Sequence, residues 1–146
     1  MTGRRISGIY AVTPETEDTE ELVAKVTGAL RGGAGVVQYR NKEATSAVKR
    51  EQCIKMLECT RVFNGLLIVN DSSELAQEVG ADGVHLGQGD ESVENARTRL
   101  GPNRIIGVSC YNNLKRARAA QVAGADYVAF GSFFPSPTKP AAAADR

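Results

Sequence analysis

The sequence has one histidine and three cysteines in 146 residues. A lone histidine excludes a histidine-rich zinc site. Cys53, Cys59 and Cys110 form no C-x-x-C pair, and an odd count does not suit a disulfide framework. Cys53 and Cys59 fall in a helical pattern and read as buried or half-buried thiols. No apolar run approaches the roughly 20 residues of a membrane helix. The first residues, MTGRRISGIYAVT, carry two arginines but no apolar signal-peptide core. An excess of one charge is missing too. Eighteen basic and 17 acidic residues leave +1, which offers no electrostatic footprint for nucleic acid. These absences lead us to expect one ordinary cytoplasmic domain with neither a membrane nor a nucleic-acid partner.

What is present is an alternation. Apolar runs of strand length occur at 8–13, 35–40, 66–70, 83–86, 105–109 and 127–132. Helical patterns lie between them, near 18–31, 44–61, 73–79, 91–100 and 113–123. In the second helix, Ala47, Cys53, Ile54 and Leu57 fall on one stripe. Gly32-Gly33, Gly80, Gly101-Pro102 and Gly124 mark helix ends, and Ser72 and Ser73 a helix start. The unit GAD-x-V occurs twice, as Gly80-Ala81-Asp82-Gly83-Val84 and Gly124-Ala125-Asp126-Tyr127-Val128. Strands alternating with helices imply a parallel sheet, and continuous Val/Ile/Leu runs imply strands covered on both faces.

About six βα units would suit an open doubly wound sheet, whereas a TIM barrel needs eight. Polar residues favour the barrel. They gather at the ends of five successive strands: Gln38, Arg40 and Lys42; Asn70 and Asp71; His85, Gln88 and Asp90; Ser109; and Ser136, Thr138 and Lys139. A switch-point crevice draws on only a few strand ends.

In Val36-Val37-Gln38-Tyr39-Arg40-Asn41-Lys42, the alternate residues Gln38, Arg40 and Lys42 share one face of a strand. They form either a strand leaving the core or one wall of an anion site. Asp71 and Asp90, on adjacent strand ends, can hold one Mg²⁺ whose shell is completed by water and phosphate. Taken singly, each also suits a helix start, Asp90 as the N-cap of helix 91–100. His85 reads as a packed core or rim histidine before a general base. The acids Glu15, Glu17, Asp18, Glu20 and Glu21 read as a solvated helix N-terminus.

The phrases YAVT, GAGVVQYRNKE, LLIVND, GADGVHLGQGD, IIGVS and GADYVAFGSFFPSPTK, in this order from about residue 10 to 139, resemble the thiamine-phosphate synthase family. The resemblance implies an α/β fold of the TIM (β/α)₈ type with parallel strands. It implies Mg²⁺-dependent joining of an aminopyrimidine diphosphate to a thiazole phosphate, releasing pyrophosphate. Gln38, Tyr39, Arg40, Asn41 and Lys42 match the segment holding the pyrimidine diphosphate, with Asn70 and Ser109. Asp71 and Asp90 match the metal ligands. Ser136, Pro137 and Thr138 match the thiazole-phosphate loop, and Lys139 a lysine reaching the diphosphate. Arg40, Lys42 and Lys139 would neutralise the departing pyrophosphate.

Family members commonly have threonine at Ser136, and histidine shortly after the fifth-strand serine, where Cys110-Tyr111 stand here. The family also continues through two further βα units. We therefore expect a single barrel domain over 1–146 lacking those units, with small-molecule partners, a possible homo-oligomer that completes the barrel, and little turnover by itself. The rival expectations are a thiazole tautomerase relative, or a non-catalytic barrel that binds phosphorylated thiamine precursors.

Overall fold

The computed structural model describes residues 5–132. Strands and helices alternate along the chain: β1 (Ile9–Val12), α1 (Thr19–Arg31), β2 (Ala34–Tyr39), α2 (Ser46–Val62), β3 (Leu66–Asn70), α3 (Ser73–Val79), β4 (Gly83–Leu86), α4 (Val93–Leu100), β5 (Ile105–Tyr111), α5 (Leu114–Ala123) and β6 (Tyr127–Phe130). All neighbouring strands are parallel, in the order β1-β2-β3-β4-β5-β6. Every element expected from the periodicity is present to within two residues or so at its ends.

The helix boundaries have identifiable causes. Asp18, Thr45, Ser72, Ser92 and Asn113 are the N-caps, each accepting a backbone N–H three residues on. α4 therefore begins after Ser92, and Asp90 is not its cap. Gly80 and Gly124 close α3 and α5 in the left-handed conformation that glycine adopts without cost.

The sheet is strongly curled into half a barrel. Five interstrand steps in a flat sheet would separate β1 from β6 by about 24 Å. Yet the hydroxyls of Tyr10 on β1 and Tyr127 on β6 lie 2.6 Å apart. The two tyrosines span the concave face edge to face, with ring centroids 5.8 Å apart. Strand alternation then divides the core in two. Val37, Tyr39, Leu67, Val69, Val84, Leu86, Ile106 and Val108 pack outward against Leu22, Val26, Cys53, Met56 and Ala96 of the helices. Val36, Leu66, Ile68 and Ile105 fill the floor of the concave side, beneath Tyr10 and Tyr127.

The GAD units act at the starts of the strands. Asp82 accepts the backbone N–H of Leu67 at 2.7 Å and a bidentate pair from Arg61 at 2.9 and 3.0 Å. Asp126 repeats this, taking the N–H of Ile106 and Arg97 Nη2, both at 2.8 Å. Each aspartate thus ties the start of its own strand to the strand before it and to the helix that leads into that earlier strand.

α2 departs from its expected stripe. Ala47 is exposed, and the buried positions are Gln52, Cys53, Met56 and Thr60. Gln52 is fully buried because its amide is satisfied there: Oε1 accepts from Tyr39 Oη at 2.6 Å and from Asn41 Nδ2 at 3.3 Å, and Nε2 donates to the Thr16 carbonyl at 2.9 Å. Burial pushes the Cys53 thiol up to about 12, which keeps it an inert core group at neutral pH. Gln52→Ala strands these partners, and we expect it to lower unfolding free energy by about 2–4 kcal/mol, read from urea denaturation.

Candidate active site

The ends of the strands, opposite the aspartate ties, open into a cavity of about 680 Å³. Its lining includes Tyr10, Gln38, Arg40, Asn70, His85, Ser109 and Tyr127, contributed by all six strands. Each occupies the inward phase of its strand's alternation. The volume suits a substrate of small-molecule size.

The same alternation separates the segment 38–42. Gln38 and Arg40 line the cavity, and Lys42 lies beyond them with Nζ 3.9 Å from Asp71 Oδ2. Tyr39 and Asn41, expected among the substrate-binding residues, are turned the other way. Tyr39 is 3% and Asn41 7% exposed, and their side chains bond Gln52 in the helix layer. Their side chains serve the packing that aims their neighbours.

Arg40 is held at both ends. Its backbone N–H donates to Thr13 Oγ1 at 2.9 Å, tying β2 to β1. Its Nη1 donates to Glu15 Oε1 at 3.2 Å, and the same oxygen accepts the N–H of Lys42 at 3.2 Å. Glu15 therefore belongs to the cationic wall and not merely to a solvated helix start. Sequence alone could not assign it, because 25 residues separate it from Arg40.

Asp71 has φ 71°, in the left-handed region where aspartate is one of the few tolerated residues, and its N–H is fixed by the His85 carbonyl at 2.8 Å. Asp90 sits in a tight loop after β4 and accepts the Gly87 N–H at 2.7 Å. Partial burial, and then a hydrogen bond to Asp71, hold the Asp90 carboxyl above the usual carboxylate range; the Gly87 N–H and Lys42 pull the other way. Two carboxylates this close fit a hard cation that completes its shell elsewhere. Among the described residues no cluster of three or more His, Cys, Asp or Glu could hold a metal unaided.

A raised folded-state value means that the charged form of Asp90 opposes folding. The penalty is complete above the folded value and vanishes below the unfolded one. Asp90→Asn keeps an oxygen for Gly87 and removes the charge. In chelator, it should melt a few degrees above the parent at pH 7, with the difference closing toward pH 3, in parallel thermal scans.

His85 is 7% exposed and packs at the rim. Its ring stacks on Tyr127, Nδ1 lies 2.8 Å from Tyr127 Oη, and Nε2 lies 2.7 Å from Ser109 Oγ. Gly107 makes room for this, since a Cβ there would stand 2.0 Å from the Tyr127 ring. Arg116 braces the end of β5, donating from Nε to the Ser109 carbonyl at 2.8 Å and lying over the Tyr111 ring. Tyr10 and Tyr127 were not legible as site residues, because their aromatic side chains inside strand runs read as core. Ser136, Pro137, Thr138 and Lys139 lie outside the described residues.

A family profile described as thiamine monophosphate synthase matches residues 9–145. The chain belongs to this family. Thiamine-phosphate synthase of Thiobacillus denitrificans is 57% identical over 136 residues, 93% of this chain and 64% of that protein. The enzyme of the same name from Nitrosospira multiformis is 52% identical over 93% of this chain and 58% of its own length. The chain thus spans about three-fifths of these family members. Among solved structures, thiamine phosphate pyrophosphorylase from Pyrococcus furiosus superposes with a TM-score of 0.77 at 37% identity, covering 87% of this chain and 61% of that one. A Ruminococcus gnavus sialic acid aldolase, at 11% identity and a TM-score of 0.65, shares the fold alone. Among the described residues no helix is long and apolar enough to cross a membrane.

Proposed function

We propose that this chain provides the pyrimidine-diphosphate half of a thiamine-phosphate synthase site, on one barrel domain over 1–146, acting on small molecules in the cytoplasm. The reaction joins an aminopyrimidine diphosphate to a thiazole phosphate. The pyrimidine methylene C–O bond breaks, both electrons leave with pyrophosphate, and the thiazole nitrogen lone pair forms the new C–N bond. No protein nucleophile is required.

The observation that carries this reading is a cavity lined by Gln38, Arg40 and Asn70, with Asp71, next in the chain to Asn70, in contact with both Lys42 and Asp90. Arg40 and Lys42 offset charge building on the diphosphate. Asn70 and Ser109 orient the same substrate from β3 and β5. Asp71 and Asp90 would hold Mg²⁺, which when bound supplies charge neutralisation and a template for the diphosphate. Glu15 keeps Arg40 aimed and must yield part of that contact to the substrate. The expected residues Ser136, Pro137 and Thr138 on the thiazole phosphate, and Lys139 on the diphosphate, belong to the same proposal. A tautomerase would need neither the cationic wall nor the carboxylate pair.

The test is calorimetric binding of the pyrimidine diphosphate with and without Mg²⁺, beside a mass-spectrometric assay for thiamine phosphate. Mg²⁺-dependent binding supports the reading, and product formation extends it to turnover. No binding under either condition overturns it.

A further inference from the structure

Four short hydrogen bonds run in a line across the concave face. Gln38 Nε2 donates to Tyr10 Oη at 2.7 Å; Tyr10 and Tyr127 hydroxyls meet at 2.6 Å; Tyr127 Oη meets His85 Nδ1 at 2.8 Å; His85 Nε2 meets Ser109 Oγ at 2.7 Å. The line crosses β2, β1, β6, β4 and β5 in turn. Its first member is an amide nitrogen, which can only donate. We propose that this fixed donor sets the direction of the whole line, making Tyr10 and Tyr127 positioning residues that leave Ser109 as a hydrogen-bond donor facing the cavity.

The reasoning is a count of protons. A hydroxyl has one hydrogen. With its oxygen accepting from Gln38, Tyr10 donates to Tyr127, and Tyr127 donates to Nδ1 of His85. A ring nitrogen that accepts carries no hydrogen, so the neutral ring carries it on Nε2 and gives it to Ser109 Oγ. Ser109 then has its own hydrogen to spend in the cavity that it lines. The reverse direction would use the Ser109 hydrogen on His85 and aim the Tyr10 hydrogen at the Gln38 amide nitrogen, which cannot accept it. Burial makes both phenols harder to ionise than usual, so each keeps its hydrogen at neutral pH.

The consequence rests on the proposed reading of Ser109 as a diphosphate contact. An anionic oxygen needs a donor. A serine that presented only lone pairs would repel it. Two aromatic residues would thus decide, through His85, whether Ser109 attracts it.

His85 is the single histidine of the chain. Ring-¹⁵N-labelled histidine therefore gives one pair of nitrogen resonances, and two-bond couplings report which nitrogen is protonated. At pH 8 the parent chain should show hydrogen on Nε2 only. Gln38→Glu replaces the terminal donor by an acceptor, so the line should reverse and the hydrogen move to Nδ1. Tyr127→Phe removes the donor to Nδ1, and both tautomers should populate. Hydrogen on Nδ1, or on both nitrogens, in the parent overturns the proposal even if a variant fails to fold; so does an unchanged ring in a folded Gln38→Glu. Titration with inorganic pyrophosphate and Mg²⁺ separates the two claims. An Nε2 tautomer with no pyrophosphate binding leaves the hydrogen-bond line intact and removes the diphosphate role of Ser109.

Discussion

Replacing Asp71 and Asp90 together by asparagine should weaken Mg²⁺-dependent binding of the pyrimidine diphosphate by at least about 100-fold. Loss of groups that merely orient metal ligands already costs about 10–100-fold in metal-site proteins, and here the proposed ligands themselves lose their charge. Mg²⁺ takes only one or two carboxylates from a protein and leaves the rest of its shell to water and phosphate. With no third acidic, histidine or cysteine ligand clustered nearby among the described residues, nothing local replaces the pair. Calorimetry with the diphosphate in Mg²⁺, repeated in chelator, separates cation-dependent binding from what Arg40 and Lys42 contribute alone. Equal binding by the parent and the double variant would remove the aspartates from the site. The double variant should also fold at least as well as the parent, since burial and the neighbouring Asp71 both disfavour the charge on Asp90. Binding and stability then move in opposite directions, which an unfolded variant could not mimic.

Gly83→Ala should be severely destabilising. Its Cβ would lie 2.0 Å from the carbonyl oxygen of Ile105 and 2.7 Å from the carbonyl carbon, both on the adjacent strand. Neither atom belongs to a side chain that could rotate away, so β4 and β5 must separate. Overpacking costs about 1–3 kcal/mol where side chains absorb it and more where they cannot. We expect about 3 kcal/mol or more, enough to consume much of a small domain's stability. Gly80→Ala, three residues earlier, is the matched control. That glycine has φ 76°, and a methyl added there would meet no atom within 4 Å, so strain of about 1–2 kcal/mol is all that applies. Urea midpoints for the two variants should differ clearly, and equal midpoints would contradict the packing described for β4 and β5.

The two GAD units show where linear reading succeeds and where it stops. Their shared letters announce a helix end, a turn and a strand, and the structure has all three. The letter that differs, Gly83 in one and Tyr127 in the other, has no explanation along the chain. It follows from what stands opposite: the Ile105 backbone in the first case, Gly107 in the second. The strands were legible because continuous Val and Ile runs have few alternatives, and the helix ends because glycine and serine act locally. The cavity was legible to the extent that its residues are polar and follow a strand. Tyr10 and Tyr127 broke that rule by being aromatic, and their contact spans 117 residues. Glu15 was hidden among four other acids. Gln52 was hidden because a buried amide declares itself only through Tyr39, Asn41 and Thr16, which bring it partners from outside its helix.

The aspartate ties and the polar mouth lie at opposite ends of the same strands, about 13 Å apart for a four-residue strand. Robustness and chemistry therefore occupy separate floors of the molecule. A protein engineer seeking heat tolerance has a basement to rebuild: arginine–aspartate joints patterned on Arg61–Asp82 and Arg97–Asp126 can be added under other strand pairs, while the upper storey is left alone. The usual bargain between toughness and turnover is, in this architecture, largely a matter of address.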